Sequence, residues 1–346
     1  MFGRESRVSG YSLMGYDDLL SRGLMLKSNM SVPSQGKVGR ILNAIINKMS
    51  FFFFGDGGDY ISILSCLFDI NRSKVVVTTS DRLGVPVAIL RYLGLIKADH
   101  LYVSIGLPTH FERLEGSNIR KNRYISVLKM INKVICFSNP EKIIIKAMVP
   151  GLKVEFIQYF VDSSVITPKQ LKLKYDLISV GADYNRNLDF IIKYAYTRLD
   201  VSILLVLGVG NSTLLPKDIP PNITLIIDID LNDVLEYISK SKIVLLPVKQ
   251  NIYSGATTTL LQSMSMEKPV IVSNVQPLDK YGLIDGVNCS LFAPNDFSEM
   301  TLKINNLLTD EESRTIIGKN AREHVVSKLD KSIFVNKLEK ILSNMN

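Results

Sequence analysis

The chain has 346 residues, is 46% apolar and carries a net charge of +8 at neutral pH. Because one domain usually holds on the order of 100 to 200 residues, this length predicts two domains. The sequence shows neither a secretory leader nor an apolar run near the roughly 18 residues of a membrane span, so we expect a cytoplasmic protein. Its three cysteines and three histidines lack metal-ligand spacing, which argues against a zinc site.

The positive charge belongs to the first half of the sequence. Residues 1–168 contain 21 Lys and Arg against 13 Asp and Glu, whereas residues 169–346 contain 20 of each class. A basic domain attracts anionic partners such as nucleic acid, an anionic membrane surface or a phosphorylated acceptor. We expect no nucleic acid partner, because the sequence has no recognition fingerprint and no tryptophan for base stacking.

Residues 37–54 of this basic half combine positive charge with apolar side chains. Lys37, Arg40 and Lys48 are interspersed with isoleucine and leucine, and four phenylalanines start at Phe51. This mixture is typical of a helix that lies in the interface of an anionic membrane. The spacing also fits a surface helix whose apolar face reaches the core, so both interpretations stay open.

Along the rest of the first half, short β-branched runs alternate with stretches of helical length. This alternation is typical of βαβ units around a parallel sheet. The predicted strands cover residues 74–81, 100–106, 133–138 and 153–162. The predicted helices cover residues 85–93, 120–130 and 140–148.

A polar stretch at residues 163–174 predicts the link between an N-terminal domain, residues 1–168, and a C-terminal domain, residues 169–346. We expect the C-terminal domain to contain strands at residues 175–181, 202–208 and 222–228, and helices at residues 188–196, 231–239 and 310–345. The final helix is expected to pack back on the N-terminal domain. The predicted fold class is therefore α/β, with two Rossmann-like domains that face each other across a cleft.

The most informative segment runs from Lys242 to Asn288. It predicts a buried strand (IVLLP), a loop, a helix and a second strand (VIVS). The helix opens with five small or hydroxyl residues: Ser254, Gly255, Ala256, Thr257 and Thr258. Such a helix start leaves backbone N–H groups free at the carboxyl edge of a parallel sheet, which favours a phosphate site. An ordinary βαβ crossover capped by Ser254 has the same pattern.

Three motifs of the second half resemble the GT-B glycosyltransferases, most closely the retaining family 4. ISVGADYNRNLDFII, from Ile178, resembles the family's first strand, glycine turn and basic residue. YSGATTTLLQSMSMEKPVIVS, from Tyr253, resembles its loop, helix and "GKPVI" turn, and DGVNCSLFAPND, from Asp285, resembles its "DGVNGLLVPPGD" segment. The resemblance covers residues 175–330 and is loose in the first half.

This resemblance implies the GT-B fold and the transfer of a sugar from a UDP- or GDP-linked donor. It further implies retention at the anomeric carbon and no metal or other cofactor. Without a metal, helix dipoles, backbone N–H groups and a cation have to stabilise the leaving diphosphate. The implied donor site contains Gly181, Arg186, Asp228, Lys249, Ser254, Gly255, Ala256, Thr257, Thr258 and Gln262.

The basic positions of this site depart from the family pattern. Arg186 stands at the family's lysine position, but Ala182 replaces the arginine that usually follows Gly181. One of two phosphate cations is therefore missing, unless Lys249 or a residue of the first domain replaces it. The alternative for Arg186 is a surface residue at the start of a helix, where a cation opposes the dipole.

The acidic positions depart further. Two glutamates, separated by seven residues in the family, are replaced by Ser254 and Gln262. Gln262 can still hydrogen-bond a ribose hydroxyl, whereas Ser254 is short and uncharged. This loss keeps open a second function, that of a catalytically inactive nucleotide-sugar-binding or partner subunit. A sugar-nucleotide epimerase is a third alternative, for which the sequence shows no cluster of catalytic carboxylates.

In the first domain the candidate is His110, which follows a predicted strand end. The resemblance implies that it contacts the donor sugar or the acceptor hydroxyl. A loop histidine with satisfied hydrogen bonds is the alternative, and Asp81 and Ser104 at neighbouring strand ends compete for the role. The glycine-rich GDGGDY segment, which starts at Gly55, is predicted to be a turn.

Asp228 and Asp230 form an acid-x-acid pair, which holds a divalent metal in another glycosyltransferase fold. Here the pair lies between a predicted strand and a helix, where helix capping also accounts for acidic residues. The resemblance places Asp228 near the nucleotide base, and we predict no metal site.

Together these observations predict an enzyme that moves a sugar from a nucleotide diphosphate sugar to a glycan or lipid-linked acceptor. His110, Arg186 and Ser254 are its candidate catalytic residues. We expect it to act in the synthesis of cell-surface polysaccharide or glycoconjugate, in the cytoplasm and at the inner face of the cell membrane.

Overall fold

The computed structural model describes residues 13–28, 36–114, 116–181, 183–253 and 255–345. Two compact units are formed. The C-terminal unit contains Gln158–Phe334, and the N-terminal unit contains Met14–Ile157 with the segment that starts at Val335. The predicted domain boundary at residue 168 falls within the C-terminal unit. Both units are built around a parallel sheet, which confirms the predicted α/β class.

In the N-terminal unit, four parallel strands are arranged in the order β1-β2-β3-β4. The elements are α1 (Tyr16–Ser21), α2 (Lys37–Phe54), α3 (Tyr60–Leu64), α4 (Leu67–Arg72), β1 (Val75–Thr78), α5 (Asp81–Tyr92), β2 (Asp99–Ser104), α6 (Leu107–Glu112), α7 (Asn118–Leu128), β3 (Lys133–Cys136), α8 (Asn139–Met148) and β4 (Val154–Phe156). The predicted strands and helices from residue 74 onward are confirmed, although β4 is much shorter than predicted.

In the C-terminal unit, six parallel strands are arranged in the order β10-β9-β8-β5-β6-β7. The elements are β5 (Tyr175–Gly181), α9 (Leu188–Thr197), β6 (Ile203–Leu207), α10 (Val209–Ser212), β7 (Ile223–Ile227), α11 (Leu231–Ser239), β8 (Ser241–Leu246), α12 (Thr257–Ser265), β9 (Val270–Ser273), β10 (Ser290–Phe292), α13 (Phe297–Thr309) and α14 (Glu311–Lys328). Helix α15 (Lys331–Ser343) begins in this unit and continues in the N-terminal unit.

This strand order has the Rossmann pattern, in which the sequence of strands reverses at the centre of the sheet. The reversal lies between β5 and β8, which are hydrogen-bonded neighbours. Most side chains of both strands are aliphatic and buried. Such near-continuous apolar runs are expected of a parallel sheet that is covered on both faces. Ligands bind in such folds at the carboxyl ends of the strands beside the reversal.

The predicted helix at residues 310–345 is interrupted in the structure. The interruption lies at Leu329 and Asp330, where Val161 accepts from the N–H of Lys331 and donates its own N–H to the carbonyl of Leu329. This pairing with a distant strand-like segment replaces the helical hydrogen bonds, and the Asp330 carboxylate then accepts from Ser163. The end of α15 belongs to the N-terminal unit, where Glu339 pairs with Arg22 at 2.6 Å.

Helix α2 coincides with the basic and apolar segment noted in the sequence. Its apolar side chains at spacings of three and four residues are exposed: Val38, Ile41, Leu42, Ile45, Met49 and Phe52. Of the apolar residues of α2, only Ile46 and Phe54 pack against the core of the unit. The apolar stripe of α2 therefore faces away from that core, and in the described ranges no helix is long and apolar enough to cross a bilayer.

Candidate functional site

The loops that follow β5 and β8 are joined to each other at the strand reversal. Arg186 and Val248 form an antiparallel bridge between the two loops. The N–H of Asn187 donates to the carbonyl of Pro247 at 2.9 Å, and the N–H of Lys249 donates to the carbonyl of Asn185 at 2.8 Å. These backbone bonds hold the two predicted donor-site segments side by side at the carboxyl edge of the sheet.

Arg186 is buried in this junction, with 4% of its surface exposed. Its Nε and Nη1 atoms have no hydrogen-bond partner among the residues that the structure describes. Burial lowers the pKa of Arg186 to about 10, and the nearby Asp183 charge opposes this change only in part. The alternative of a surface residue is therefore wrong. A buried cation with unpaired N–H groups is costly, so the site is suited to an anionic ligand.

Gly181, the last residue of β5, makes room for this guanidinium. A Cβ atom at residue 181 would lie 2.2 Å from Nε of Arg186. Real atoms do not approach so closely, so a larger residue would push the arginine away. Gly181 thus acts through the space that it leaves for Arg186.

Helix α12 begins at Thr257, with Ala256 at its N-cap and no side-chain cap. The prediction that the helix includes Gly255 is therefore wrong, because Gly255 lies before its first residue. Ser254, where the helix was predicted to start, is outside the described residues. The first helical bond at this end runs from the N–H of Leu260 to Ala256. The N–H groups of the first turn consequently have no partner within the helix. Thr257 is also buried, and its Oγ1 has no hydrogen-bond partner in the part of the chain that the structure describes.

Four polar residues that sequence reasoning missed connect these segments. Asp183 accepts through Oδ1 from the N–H of Asn185 at 2.6 Å, and Asn185 donates through Nδ2 to the hydroxyl of Tyr253 at 2.5 Å. Asn211 donates through Nδ2 to the carbonyl of Asp183 at 2.7 Å, and no described residue bonds its buried Oδ1. The Asp-x-Asn turn after the glycine was the available sequence signal.

The other predicted donor-site residues lie around this group with different exposure. Lys249 is exposed, Thr258 is half-buried in the first turn of α12, and Gln262 is buried further along the same helix. Asp228 is exposed at the carboxyl end of β7, the outermost strand, and adopts a left-handed backbone with φ 56°. The structure thus brings Arg186, Gly181 and the start of α12 together and leaves Asp228 at the margin.

In the N-terminal unit, a proline on α5 fixes the glycine-rich turn that precedes Tyr60. Pro86 has no N–H, so the carbonyl of Arg82 lacks its helical partner and accepts instead from the N–H of Asp59 at 2.9 Å. A Cβ atom at Gly58 would lie 2.0 Å from the same carbonyl. The predicted turn is therefore docked on α5, next to Asp81.

His110 lies on the short helix α6, between two carboxylates supplied by that turn and by α5. Its Nδ1 is 2.9 Å from Oδ2 of Asp56, and its Nε2 is 3.8 Å from Oδ2 of Asp81. Tyr124 donates to the same Asp56 oxygen at 2.9 Å. Burial lowers the pKa of His110, but the hydrogen bond and charge of Asp56, with the charge of Asp81, outweigh it and raise the pKa overall.

The neighbouring strand ends hold different partners. Asp81 accepts from the hydroxyl of Tyr102 and from the N–H of Ile105, and burial raises its pKa. Ser104 instead donates to Glu141 at 2.6 Å, and burial raises the pKa of that glutamate to about 7. Of the two residues that competed with His110, Asp81 thus belongs to the same cluster and Ser104 is engaged elsewhere.

Comparison with known proteins finds a family that part of the C-terminal unit resembles. Residues 209–324 match the family described as "Glycosyl transferases group 1". An uncharacterized glycosyltransferase from Methanocaldococcus jannaschii is 23% identical over 206 residues, which are 59% of this chain and 49% of that protein. The chain thus spans about half the length of this curated relative.

Solved structures resemble the chain over most of its length. Sucrose-phosphate synthase from Thermosynechococcus elongatus has a TM-score of 0.68 at 15% identity, over 86% of this chain and 79% of its own. HepE from Anabaena, in complex with UDP, has a TM-score of 0.67 at 14% identity, over 82% of each chain. Assignment to retaining family 4 is compatible with these matches and stays a prediction. The chain has the GT-B fold, and its residues 209–324 match the glycosyl transferases group 1 family.

Proposed function

We propose that this protein is a glycosyltransferase that takes its sugar from a UDP- or GDP-linked donor. The observation that carries the proposal is the buried guanidinium of Arg186, whose Nε and Nη1 atoms have no partner within the described ranges of the chain. It lies at the strand reversal, in the loop whose Asp183 reaches Gly255 just before the uncapped start of α12. A diphosphate would pair with the guanidinium and accept from the backbone N–H groups of the helix start.

The same features account for catalysis without a metal. Breaking the bond between the sugar and the diphosphate leaves negative charge on a phosphate oxygen. A fixed cation and the positive end of a helix dipole both stabilise that charge in a water-excluded site. We expect retention at the anomeric carbon, and proton NMR of the glycoside product measures that outcome directly.

We propose that His110, a residue of the N-terminal unit, contacts the donor sugar or the acceptor hydroxyl. Its ring is fixed by Asp56, which leaves Nε2 as the atom available to a hydroxyl group. The acceptor is proposed to be a glycan or a lipid-linked sugar, in the synthesis of cell-surface polysaccharide or glycoconjugate. HepE has been solved with UDP-glucose, which makes UDP-glucose a suitable first donor to test.

A thermal-shift panel of UDP, GDP, UMP and GMP tests the proposal. A ligand that binds only the folded protein raises its melting temperature, and a diphosphate site should respond to UDP or GDP far more than to the monophosphates. Release of UDP from UDP-glucose, or of GDP from GDP-glucose, then separates an enzyme from an inactive binding subunit. No response to either diphosphate would refute the proposal.

We further propose that the protein works on an anionic membrane surface through α2. Its apolar stripe is exposed, with Val38 at 71% and Ile45 at 53%, and the exposed side chains of Lys37, Arg40 and Lys48 supply positive charge on the same helix. An apolar face buried at the acyl boundary and cations near anionic headgroups are the two features of interfacial helices.

Sedimentation with vesicles of phosphatidylglycerol and phosphatidylcholine measures this binding. Ile45→Glu should abolish it, because a carboxylate would enter the apolar part of the interface. Ile143→Glu is the matched control, since Ile143 is 61% exposed on α8 and lies outside the stripe. Equal binding by wild type and Ile45→Glu, or by anionic and purely zwitterionic vesicles at low salt, would contradict the proposal.

A further inference from the structure

The carboxylate of Asp183 lies over the backbone just before α12. A Cβ atom at Gly255 would lie 1.9 Å from its Oδ2 and 3.2 Å from the ring of Tyr253. The carboxylate thus fills the space that the missing glycine side chain leaves open. Gly255 directly follows Ser254, the position at which the sequence lacks the acidic residue expected by resemblance.

The two oxygens of this carboxylate have different surroundings. Oδ1 accepts from the N–H of Asn185 at 2.6 Å and from the hydroxyl of Tyr253 at 3.4 Å. Among the residues that the structure describes, the hydrogen bonds of this carboxylate are made by Oδ1, and none is made by Oδ2. One oxygen therefore anchors the side chain, and the other is available to a ligand at the mouth of α12.

Asp183 and Arg186 present opposite charges from one turn. Three residues apart, they share the loop after β5, and the Asp183 charge acts on the arginine. The arginine is buried deeper in the junction, whereas the Asp183 side chain is half-buried. A nucleotide diphosphate sugar has the matching order of groups, since its sugar follows directly on the phosphate that the arginine would hold.

We propose that Asp183 is the carboxylate that faces the donor sugar and takes over the role left vacant at Ser254. This inference rests on the proposed function. During transfer, the bond from C1 to the β-phosphate oxygen breaks and its electron pair goes to that oxygen. The acceptor oxygen forms the new bond to C1, and its proton passes to a phosphate oxygen of the leaving nucleotide.

Asp183 acts on the other end of the breaking bond. The sugar ring gains positive charge as the diphosphate leaves, and a fixed carboxylate stabilises it in a poorly solvated site. Before the bond breaks, Oδ2 of Asp183 accepts hydrogen bonds from hydroxyl groups of the donor sugar. Arg186 and Asp183 thereby stabilise the negative and the positive charge that develop together.

Asp183→Asn tests this assignment, because its amide oxygen still accepts from the N–H of Asn185 and preserves the turn. We expect hydrolysis of UDP-glucose, or of GDP-glucose if wild type uses that donor, to fall about 100-fold, the scale on which loss of one preorganised electrostatic group is felt. Affinity for UDP or GDP should be unchanged or tighter, because a negative charge near the diphosphate is removed. Asp218→Asn, an exposed residue before β7, is the control that should match wild type.

Gly255→Ala provides a second, independent variant. The added Cβ would displace the carboxylate while Asp183 itself is kept, so turnover should fall in the same way. The double variant should be little slower than Asp183→Asn alone, since both changes remove one interaction.

The outcomes separate this inference from the proposed function. Wild-type protein that binds neither UDP nor GDP would refute both. Wild-type turnover that persists in Asp183→Asn, or a loss of diphosphate affinity as large as the loss of turnover, would refute the role of Asp183 alone. Wild-type binding of the donor without any turnover would also refute it, because the carboxylate would then have no catalytic effect.

Discussion

Replacing Arg186 by methionine should stabilise the free protein and remove its diphosphate site. Burial lowers the arginine pKa from 12.5 to about 10, and that shift corresponds to roughly 3 kcal/mol of unfavourable charge burial. Because a lowered pKa for a base disfavours the charged form in the folded state, this cost is fully present below pH 10. It is relieved only as the pH rises towards 12.5.

Methionine fills much of the same space without charge. We expect the free energy of unfolding of Arg186→Met to rise by about 1 to 3 kcal/mol, as when other buried charges are replaced by apolar side chains. Two charged hydrogen bonds to a diphosphate would be lost, at about 1.5 to 3 kcal/mol each, so the affinity for UDP or GDP should fall at least 100-fold. The two effects have opposite signs, which distinguishes a functional arginine from a structural one.

Urea unfolding of the free protein and calorimetry with UDP and GDP measure the two effects. Lys217→Met is the control, since Lys217 is exposed in the loop before β7 and should alter neither quantity. A large loss of stability in Arg186→Met with diphosphate affinity intact would show that the guanidinium is a structural group. That result would remove the observation on which the proposed function rests.

Two further predictions concern titration in the N-terminal unit. Burial raises the pKa of Glu141 to about 7. The wild type should therefore lose stability relative to Glu141→Gln by roughly 3 kcal/mol as the pH rises from about 4.5 to 7. Urea midpoints of the two proteins that change in parallel across that range would contradict this prediction. Asp56→Asn should lower the pKa of His110, because the hydrogen bond and charge of Asp56 raise that pKa. NMR titration can follow the His110 ring, and His100, whose pKa burial lowers to about 3, is the internal reference that stays neutral. An unchanged His110 midpoint would refute the coupling.

Elements with local signals were predictable from the sequence. Helix α11 has the bounds that its apolar spacing predicted, Leu231–Ser239, and β5 to β8 follow the buried β-branched runs. In these segments, the residues that determine the structure lie within the segment itself. The GT-B fold followed from motifs in the same stretches, because their glycine turns and helix starts are also local.

Features set by distant residues were not predictable. The interruption of the last helical stretch depends on Val161, more than 150 positions before Leu329 in the sequence. The burial of Arg186 depends on backbone pairing with Val248, and the place of Asp183 depends on Gly255. None of these pairs has a periodicity, so hydrophobic patterning carries no information about them. The sequence therefore singled out Arg186 as a candidate but left it indistinguishable from a surface residue.

Three glycines of the two candidate sites each leave room for a polar group of a neighbouring residue. Gly181 admits the Arg186 guanidinium, Gly255 admits the Asp183 carboxylate, and Gly58 admits the carbonyl of Arg82 that positions the turn before Tyr60. None of the three glycines has a left-handed backbone, so what each contributes is room for a neighbour. Polar groups are thereby brought against the main chain in partly or fully buried surroundings, where their interactions are stronger than in water. Close approach of charged and polar groups, rather than turn flexibility, is the reason that glycine occupies these positions.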